Sequence, residues 1–131
     1  MRDIFIITPN GYDLQTFAKA ARGIGWPPTE AGDIVSLWSG DDYVDFCEAP
    51  DVAKHYDEAE WSEVRACGPN PRFFCMRFHD YKVAARVILS ILPATSDFIL
   101  DNDHGLILPL HRFAALKPTI WDWTIADSPS P

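Results

Sequence analysis

The side chains best suited to chemistry are a thiol and an imidazole four residues apart, Cys75 and His79. Such a pair can act as a nucleophile and its general base when the two groups are within hydrogen-bond reach. The alternation of apolar and polar residues from Phe74 to Phe78 predicts a strand, so both side chains lie on one face. At about 3.3 Å per residue their α-carbons are about 13 Å apart, which is too far for a catalytic pair. We therefore expect no nucleophilic catalysis from these two residues.

A second group, Asp97, Asp101, Asp103 and His104, contains oxygen and nitrogen donors of the kind that bind metal ions. An EF-hand loop requires the pattern D-x-[DN]-x-[DN]-G and a later glutamate, whereas the last glutamate of this chain is Glu63. Zinc sites use His and Cys at short spacings, and no Cys lies near His104 in the sequence. We predict no metal site and interpret this segment as the connection of a hairpin.

Motifs of the common enzyme classes are absent from the sequence. It contains no G-x-G-x-x-G or G-x-x-x-x-G-K-[ST] loop, no G-x-S-x-G nucleophile elbow and no H-E-x-x-H zinc motif. Nucleotide and hydrolase chemistry therefore lack their usual residues, and we predict that the chain is not an enzyme and holds no cofactor. The alternative that the chain is a small enzyme would require a deep pocket lined by Cys75, His79 or Asp103.

The strongest feature of the charge pattern is an acidic segment from Asp41 to Glu63. It holds nine of the chain's 19 acids and only one of its 11 bases, Lys54, so that ten acids and ten bases remain elsewhere. The net charge of −8 therefore resides in this one segment. A localised charge of this kind favours a partner of opposite sign and repels phosphate backbones. We predict that the chain binds no nucleic acid.

Aromatic residues are interleaved with these acids, and aromatic side chains are common affinity anchors inside a charged rim. The segment can be interpreted either as a solvated face that maintains solubility or as a docking surface for a basic protein. The interleaving favours the docking surface. The predicted partner-binding residues are Asp41, Asp42, Tyr43, Asp45, Glu48, Tyr56, Asp57, Glu58, Glu60, Trp61 and Glu63.

The elements that must position these residues follow from periodicity and turn residues. The apolar spacing after Asp13 predicts a helix, and Ser39-Gly40-Asp41 predicts the turn of a hairpin. The predicted strands are 4–8, 33–40, 42–48, 74–79, 98–100 and 106–108, and the predicted helices are 14–22, 51–67, 80–92 and 110–116. This order predicts an α+β fold, with a mostly antiparallel sheet of about five to six strands covered by about three to four helices.

Length and composition predict one domain. A chain of 131 residues with 47% hydrophobic residues can form a single core, so we predict one α+β domain over 1–126 and a flexible tail over 127–131. The three cysteines form no close C-x-x-C pair, which favours a reducing compartment. No apolar run is long enough for a signal peptide or a membrane span. We therefore expect a cytoplasmic protein with no membrane partner.

The last third of the chain contains the run Asp101-Asn102-Asp103-His104-Gly105, an apolar continuation over 106–110 and a late Trp121-Asp122-Trp123. In these residues it resembles the small bacterial immunity proteins that accompany polymorphic or contact-delivered toxins. The resemblance implies a cytosolic inhibitor that binds and blocks a cognate toxin, and it carries over no catalytic residue. The alternative prediction is a non-enzymatic adaptor or accessory subunit that binds an endogenous protein.

Overall fold

The computed structural model describes residues 2–92, 97–102 and 107–114, apart from the side chains of residues 2, 113 and 114. Its main element is a sheet of seven strands, and every pairing in it is antiparallel. The strands are β1 (Arg2–Thr8), β2 (Thr29–Ala31), β3 (Ile34–Ser39), β4 (Asp42–Glu48), β5 (Arg72–Phe78), β6 (Ile99–Asp101) and β7 (Ile107–Pro109). They lie in the order β2-β3-β4-β5-β1-β6-β7. The predicted α+β fold is confirmed, with seven strands in place of the five or six expected.

The additional strand is β2, which the sequence did not predict. All three of its residues are exposed, so it shows no alternation of apolar and polar side chains. The predicted β3–β4 hairpin is confirmed: Ser39 pairs with Asp42, and Gly40 and Asp41 connect the strands. Gly40 has a φ of 64° whereas Asp41 has a negative φ, which is the pattern of a type II′ turn with glycine at its first central position.

Four α-helices and two 3₁₀ helices accompany the sheet in the described part of the chain. Asp13 caps α1 by accepting a hydrogen bond from the Thr16 amide at 2.9 Å, and Asp80 caps α3 in the same way from the Lys82 amide at 2.8 Å. Of the predicted helix 110–116, residues 115 and 116 lie outside the described part. The α-helices are α1 (Leu14–Gly23), α2 (Glu58–Val64), α3 (Tyr81–Ile91) and α4 (Leu110–Ala114), and the 3₁₀ helices are Pro50–His55 and Arg65–Cys67.

The single helix predicted over 51–67 is wrong. Tyr56 has an extended backbone, with φ −83° and ψ 133°, so the chain leaves the first 3₁₀ helix before α2 begins. Asp57 then starts α2 with a capping box, in which its side chain accepts from the Glu60 amide and the Glu60 side chain accepts from the Asp57 amide. The helix was predicted to begin at Asp51, but the 3₁₀ helix there has no side-chain cap.

The main core lies between one face of the sheet and the helices α1 and α3. Phe17 of α1 stacks on Phe46 at 4.7 Å between ring centroids and meets Phe74 edge-on at 4.9 Å. All three rings are fully buried. Because β1, β4 and β5 direct their even-numbered side chains to this face, the apolar residues of three adjacent strands meet the same two helices.

A smaller core lies on the other face of the sheet. Ile7, Ile99 and Ile107 pack there against Val64 and Cys67, which belong to α2 and the second 3₁₀ helix. These two helices therefore cover the half of the face formed by β1, β6 and β7. The predicted tail 127–131, the Trp121-Asp122-Trp123 segment, and Asp103 and His104 of the predicted hairpin connection lie outside the described residues.

Candidate functional site

The other half of this second face is partly exposed to solvent in the part of the chain that the structure describes. Side chains alternate across a strand, so Ser36 and Trp38 of β3 share the face with the odd-numbered residues of β4 and β5. Trp38 is 49% exposed, which makes it one of the most exposed large apolar side chains described. We call this surface the open face; it consists of Ser36, Trp38, Tyr43, Asp45, Cys47, Cys75, Arg77 and His79.

An aromatic row crosses the open face beside the β3–β4 turn. Trp38 and Tyr43 stand opposite each other in the hairpin, with ring centroids 4.7 Å apart and planes tilted by 34°. His79, which directly follows β5, meets Tyr43 edge-on at 5.6 Å. The indole of Trp26 donates to the Trp38 carbonyl at 2.6 Å and so fixes the backbone below this row. Such rings can hold an apolar side chain or the cation of an arginine or lysine.

A polar row lies next to the aromatic one. Asp45 is buried and accepts a hydrogen bond from Ser36 Oγ at 2.6 Å, while Arg77 Nη2 lies 3.3 Å from its other oxygen. The Nε of Arg77 is buried without a hydrogen-bond partner among the described residues. The carboxylate of Asp45 is therefore committed to holding β3, β4 and β5 together.

The third row contains two thiols, Cys47 and Cys75, which stand directly opposite each other on β4 and β5. Burial raises the pKa of Cys75 to about 12 and also raises the pKa of Cys47. Both thiols are therefore mostly protonated at neutral pH, so neither is an activated nucleophile of the kind that cysteine enzymes use.

The acids of the predicted surface lie at both ends of β4. At the turn, Asp41 is exposed, and Asp42 accepts from the Tyr43 amide at 2.7 Å and lies 3.4 Å from His79 Nδ1. At the far end, Glu48 forms an ion pair with Arg72. Six residue steps separate the two ends, or about 20 Å. The turn acids thus join the aromatic row, whereas Glu48 does not.

The remaining predicted residues belong to α2 and its approach. Tyr56 and Trp61 are half-buried and pack edge to face at 5.9 Å, each also contacting Phe73 in the smaller core. The Tyr56 hydroxyl donates to Asp101 at 2.7 Å. Asp57 and Glu60 form the capping box of α2, and Glu58 and Glu63 are exposed on its surface.

The structure thus brings Asp41, Asp42, Tyr43 and Asp45 together around one surface and places the acids of α2 elsewhere. Sequence reasoning missed Trp38, which is 49% exposed on that surface. The position of Trp38 beside Tyr43 could have been predicted from the sequence, because a two-residue Gly40-Asp41 turn places the two residues opposite each other.

A comparison of the sequence with protein-family models, with curated proteins and with solved structures finds no match. None of the helices in residues 2–92, 97–102 and 107–114 is long and apolar enough to cross a membrane. Over the same residues, no group of three or more His, Cys, Asp or Glu side chains is arranged so that it could hold a metal ion.

Proposed function

We propose that this chain is an immunity-type protein, which binds a cognate toxin domain with a basic surface and inhibits it. The net charge of −8, concentrated between Asp41 and Glu63, supports a basic partner because opposite charges accelerate encounter and determine specificity. The resemblance of the C-terminal third to immunity proteins supports a toxin as that partner. Three free cysteines support action in the reducing cytoplasm.

The observation that carries this proposal is the half-exposed Trp38 packed against Tyr43 beside two turn acids. Binding energy at protein interfaces concentrates in a few aromatic anchors surrounded by a polar rim. On this surface the rings are the anchor, and Asp41 and Asp42 are the rim. A lysine or arginine of the toxin can lie on the rings and pair with these carboxylates.

Two predicted binding residues, Asp45 and Glu48, contribute less to the binding of a basic partner than their charge implies. Each already forms an ion pair within the chain, with Arg77 and Arg72 respectively. Asp41, Glu58 and Glu63 have no ion-pair partner among the described residues and therefore supply the field that a basic partner meets. Glu58 and Glu63 act at a distance, by steering the approach.

The test of this function is co-expression with the product of the neighbouring open reading frame. We expect that product to arrest growth when expressed alone, growth to recover when this chain is present, and the two proteins to purify as one complex. A product that is harmless, or that arrests growth whether or not this chain is present, contradicts the proposal.

The internal pairing of Asp45 and Glu48 is the observation that favours an adaptor as a second candidate function. In an adaptor the aromatic row binds an endogenous protein, and the acids only maintain solubility. The two functions differ in their salt dependence. Binding to a basic toxin weakens strongly as salt screens the charges, whereas binding through the aromatic row alone changes little.

A further inference from the structure

The pair of opposed thiols on the open face has no part in the proposed binding function. Cys47 and Cys75 are partners in the register of β4 and β5, so their side chains leave the sheet on the same side. Cys47 is half-buried and Cys75 is 8% exposed. Each thiol contributes to the pKa shift of the other, as expected for side chains in contact. Cys67 is in the smaller core with Val64.

The backbone spacing at this pair suits a disulfide. The Ala49 amide donates to the Phe73 carbonyl at 2.9 Å, so these two residues form a hydrogen-bonded pair of the antiparallel ladder. Because such pairs alternate along the ladder, Cys47 and Cys75 form the next one, with α-carbons about 5.5 Å apart. Disulfides span α-carbon distances of about 4.4–6.8 Å.

We propose that Cys47 and Cys75 form a reversible disulfide across β4 and β5 when the protein meets a peroxide. This site does not depend on the proposed binding function. It is a modification site, and the chemistry that acts on it is that of hydrogen peroxide or an organic hydroperoxide.

The reaction begins at the more exposed thiol, Cys47. The small ionised fraction of Cys47 attacks one oxygen of hydrogen peroxide, and the O–O bond breaks. This leaves a sulfenic acid on Cys47 and a hydroxide, which takes up the proton that the thiol released and becomes water. The Cys75 sulfur then attacks the sulfenic sulfur, an S–S bond forms, and the OH group leaves with the Cys75 proton as a second water. The two thiols lose two electrons, and one peroxide is reduced to two waters.

The surroundings determine the rate and the reversibility. Burial, with a smaller contribution from the Asp3 carboxylate, raises the pKa of both thiols more than Arg77 lowers it, so the reaction accelerates as the pH rises. Opposed β-carbons in a hydrogen-bonded pair are about 5.5 Å apart, and a disulfide draws them to about 4.5 Å or less. The bond is therefore strained, and strained disulfides are the ones that thiols reduce readily.

The test is mass spectrometry of the full chain after treatment with hydrogen peroxide. Trypsin separates the three cysteines, since Cys47 falls in peptide 23–54, Cys67 in 66–72 and Cys75 in 73–77. We expect the intact mass to fall by two hydrogens, peptides 23–54 and 73–77 to be joined, and the dithiol to return on addition of a reducing thiol. Cys67 should remain open to alkylation in the unfolded protein.

Two variants complete the experiment. Cys67→Ser should form the same joined peptides, and Cys47→Ser, a change at a half-buried position, should lose them. The wild-type measurement stands by itself if a variant does not fold. Joined peptides that contain 66–72, oxygen adducts on unpaired thiols, or an unchanged mass would each overturn the proposal.

Discussion

Asp45 illustrates how a single carboxylate of the acidic segment can serve the fold. It is buried on the open face, where Ser36 donates a hydrogen bond to it and Arg77 pairs with it. The three residues belong to β3, β4 and β5, so the carboxylate links three strands side by side.

Replacing Asp45 by alanine should lower the free energy of unfolding by about 1–3 kcal/mol, because Ser36 and Arg77 both lose a buried acceptor. Glu48→Ala is the matched control, since Glu48 pairs with Arg72 at the surface and exposed ion pairs contribute about 0–1 kcal/mol. Denaturant unfolding of both variants measures the difference. Equal losses would show that Asp45 has no special structural role.

The cap of α1 gives a pH-dependent contribution to stability. Hydrogen bonds from the Thr16 side chain and amide lower the pKa of Asp13 from 3.8. A carboxyl whose pKa is lowered in the folded state stabilises that state above its unfolded pKa, and the contribution is lost as the pH falls through the folded value. Asp13→Asn keeps an acceptor at the cap but cannot titrate.

We therefore expect wild type to exceed Asp13→Asn in stability near neutral pH and this excess to shrink as the pH falls below 3.8. Thermal unfolding of the two proteins across this range measures the excess. An excess that stays constant down to the lowest pH would contradict an ionised cap.

At the scale of the elements, the most informative one is α2, since its start distinguishes the observed fold from the predicted helix 51–67. The capping box at Asp57 indicates that the helix begins there. Asp57→Ala should therefore destabilise the protein by about 1 kcal/mol. Asp51→Ala removes an exposed ion pair with Lys54 and should change stability by less than about 0.5 kcal/mol. Denaturant midpoints that fall equally for both would favour a single helix from Asp51.

Elements with strong periodicity were predictable from the sequence. The spacing of buried residues in α1 and α3 and the alternation in β4 and β5 are local signals, and the structure follows them. The break at Tyr56 was not predictable, because the contact that accompanies it joins Tyr56 to Asp101, 45 residues away. Helix propensity summed over a short stretch of sequence takes no account of such a distant contact.

The candidate site was predictable only in part, for the same reason. Asp41, Asp42 and Tyr43 are close in sequence and remain close in space. Trp61, like Tyr43, is an aromatic residue flanked by acids in the sequence, yet it packs on Phe73 in the smaller core. Which aromatic ring faces solvent depends on where α2 lies on the sheet, and the sequence pattern does not specify that position.

At the scale of the whole molecule, the charge is divided between the hairpin turn and α2. Asp41→Lys and Glu63→Lys alter the net charge equally but lie on different surfaces, so they separate local pairing from general steering. Both should slow association with the neighbouring gene product, and only Asp41→Lys should also accelerate dissociation. Stopped-flow or surface-based kinetics at two salt concentrations measures both rates. Identical dissociation rates for the two variants would show that Asp41 does not lie in the interface.

The decisive measurement compares two exposed hydrophobic side chains of similar accessibility, Trp38 on the open face, 49% exposed, and Leu89 on α3, 46% exposed. Calorimetric titration of the neighbouring gene product with Trp38→Ala should show binding weakened by about tenfold or more, which corresponds to about 1.4 kcal/mol or more. Leu89→Ala should bind within about twofold of wild type. Dissociation constants that are the same for both variants would contradict docking through the open face.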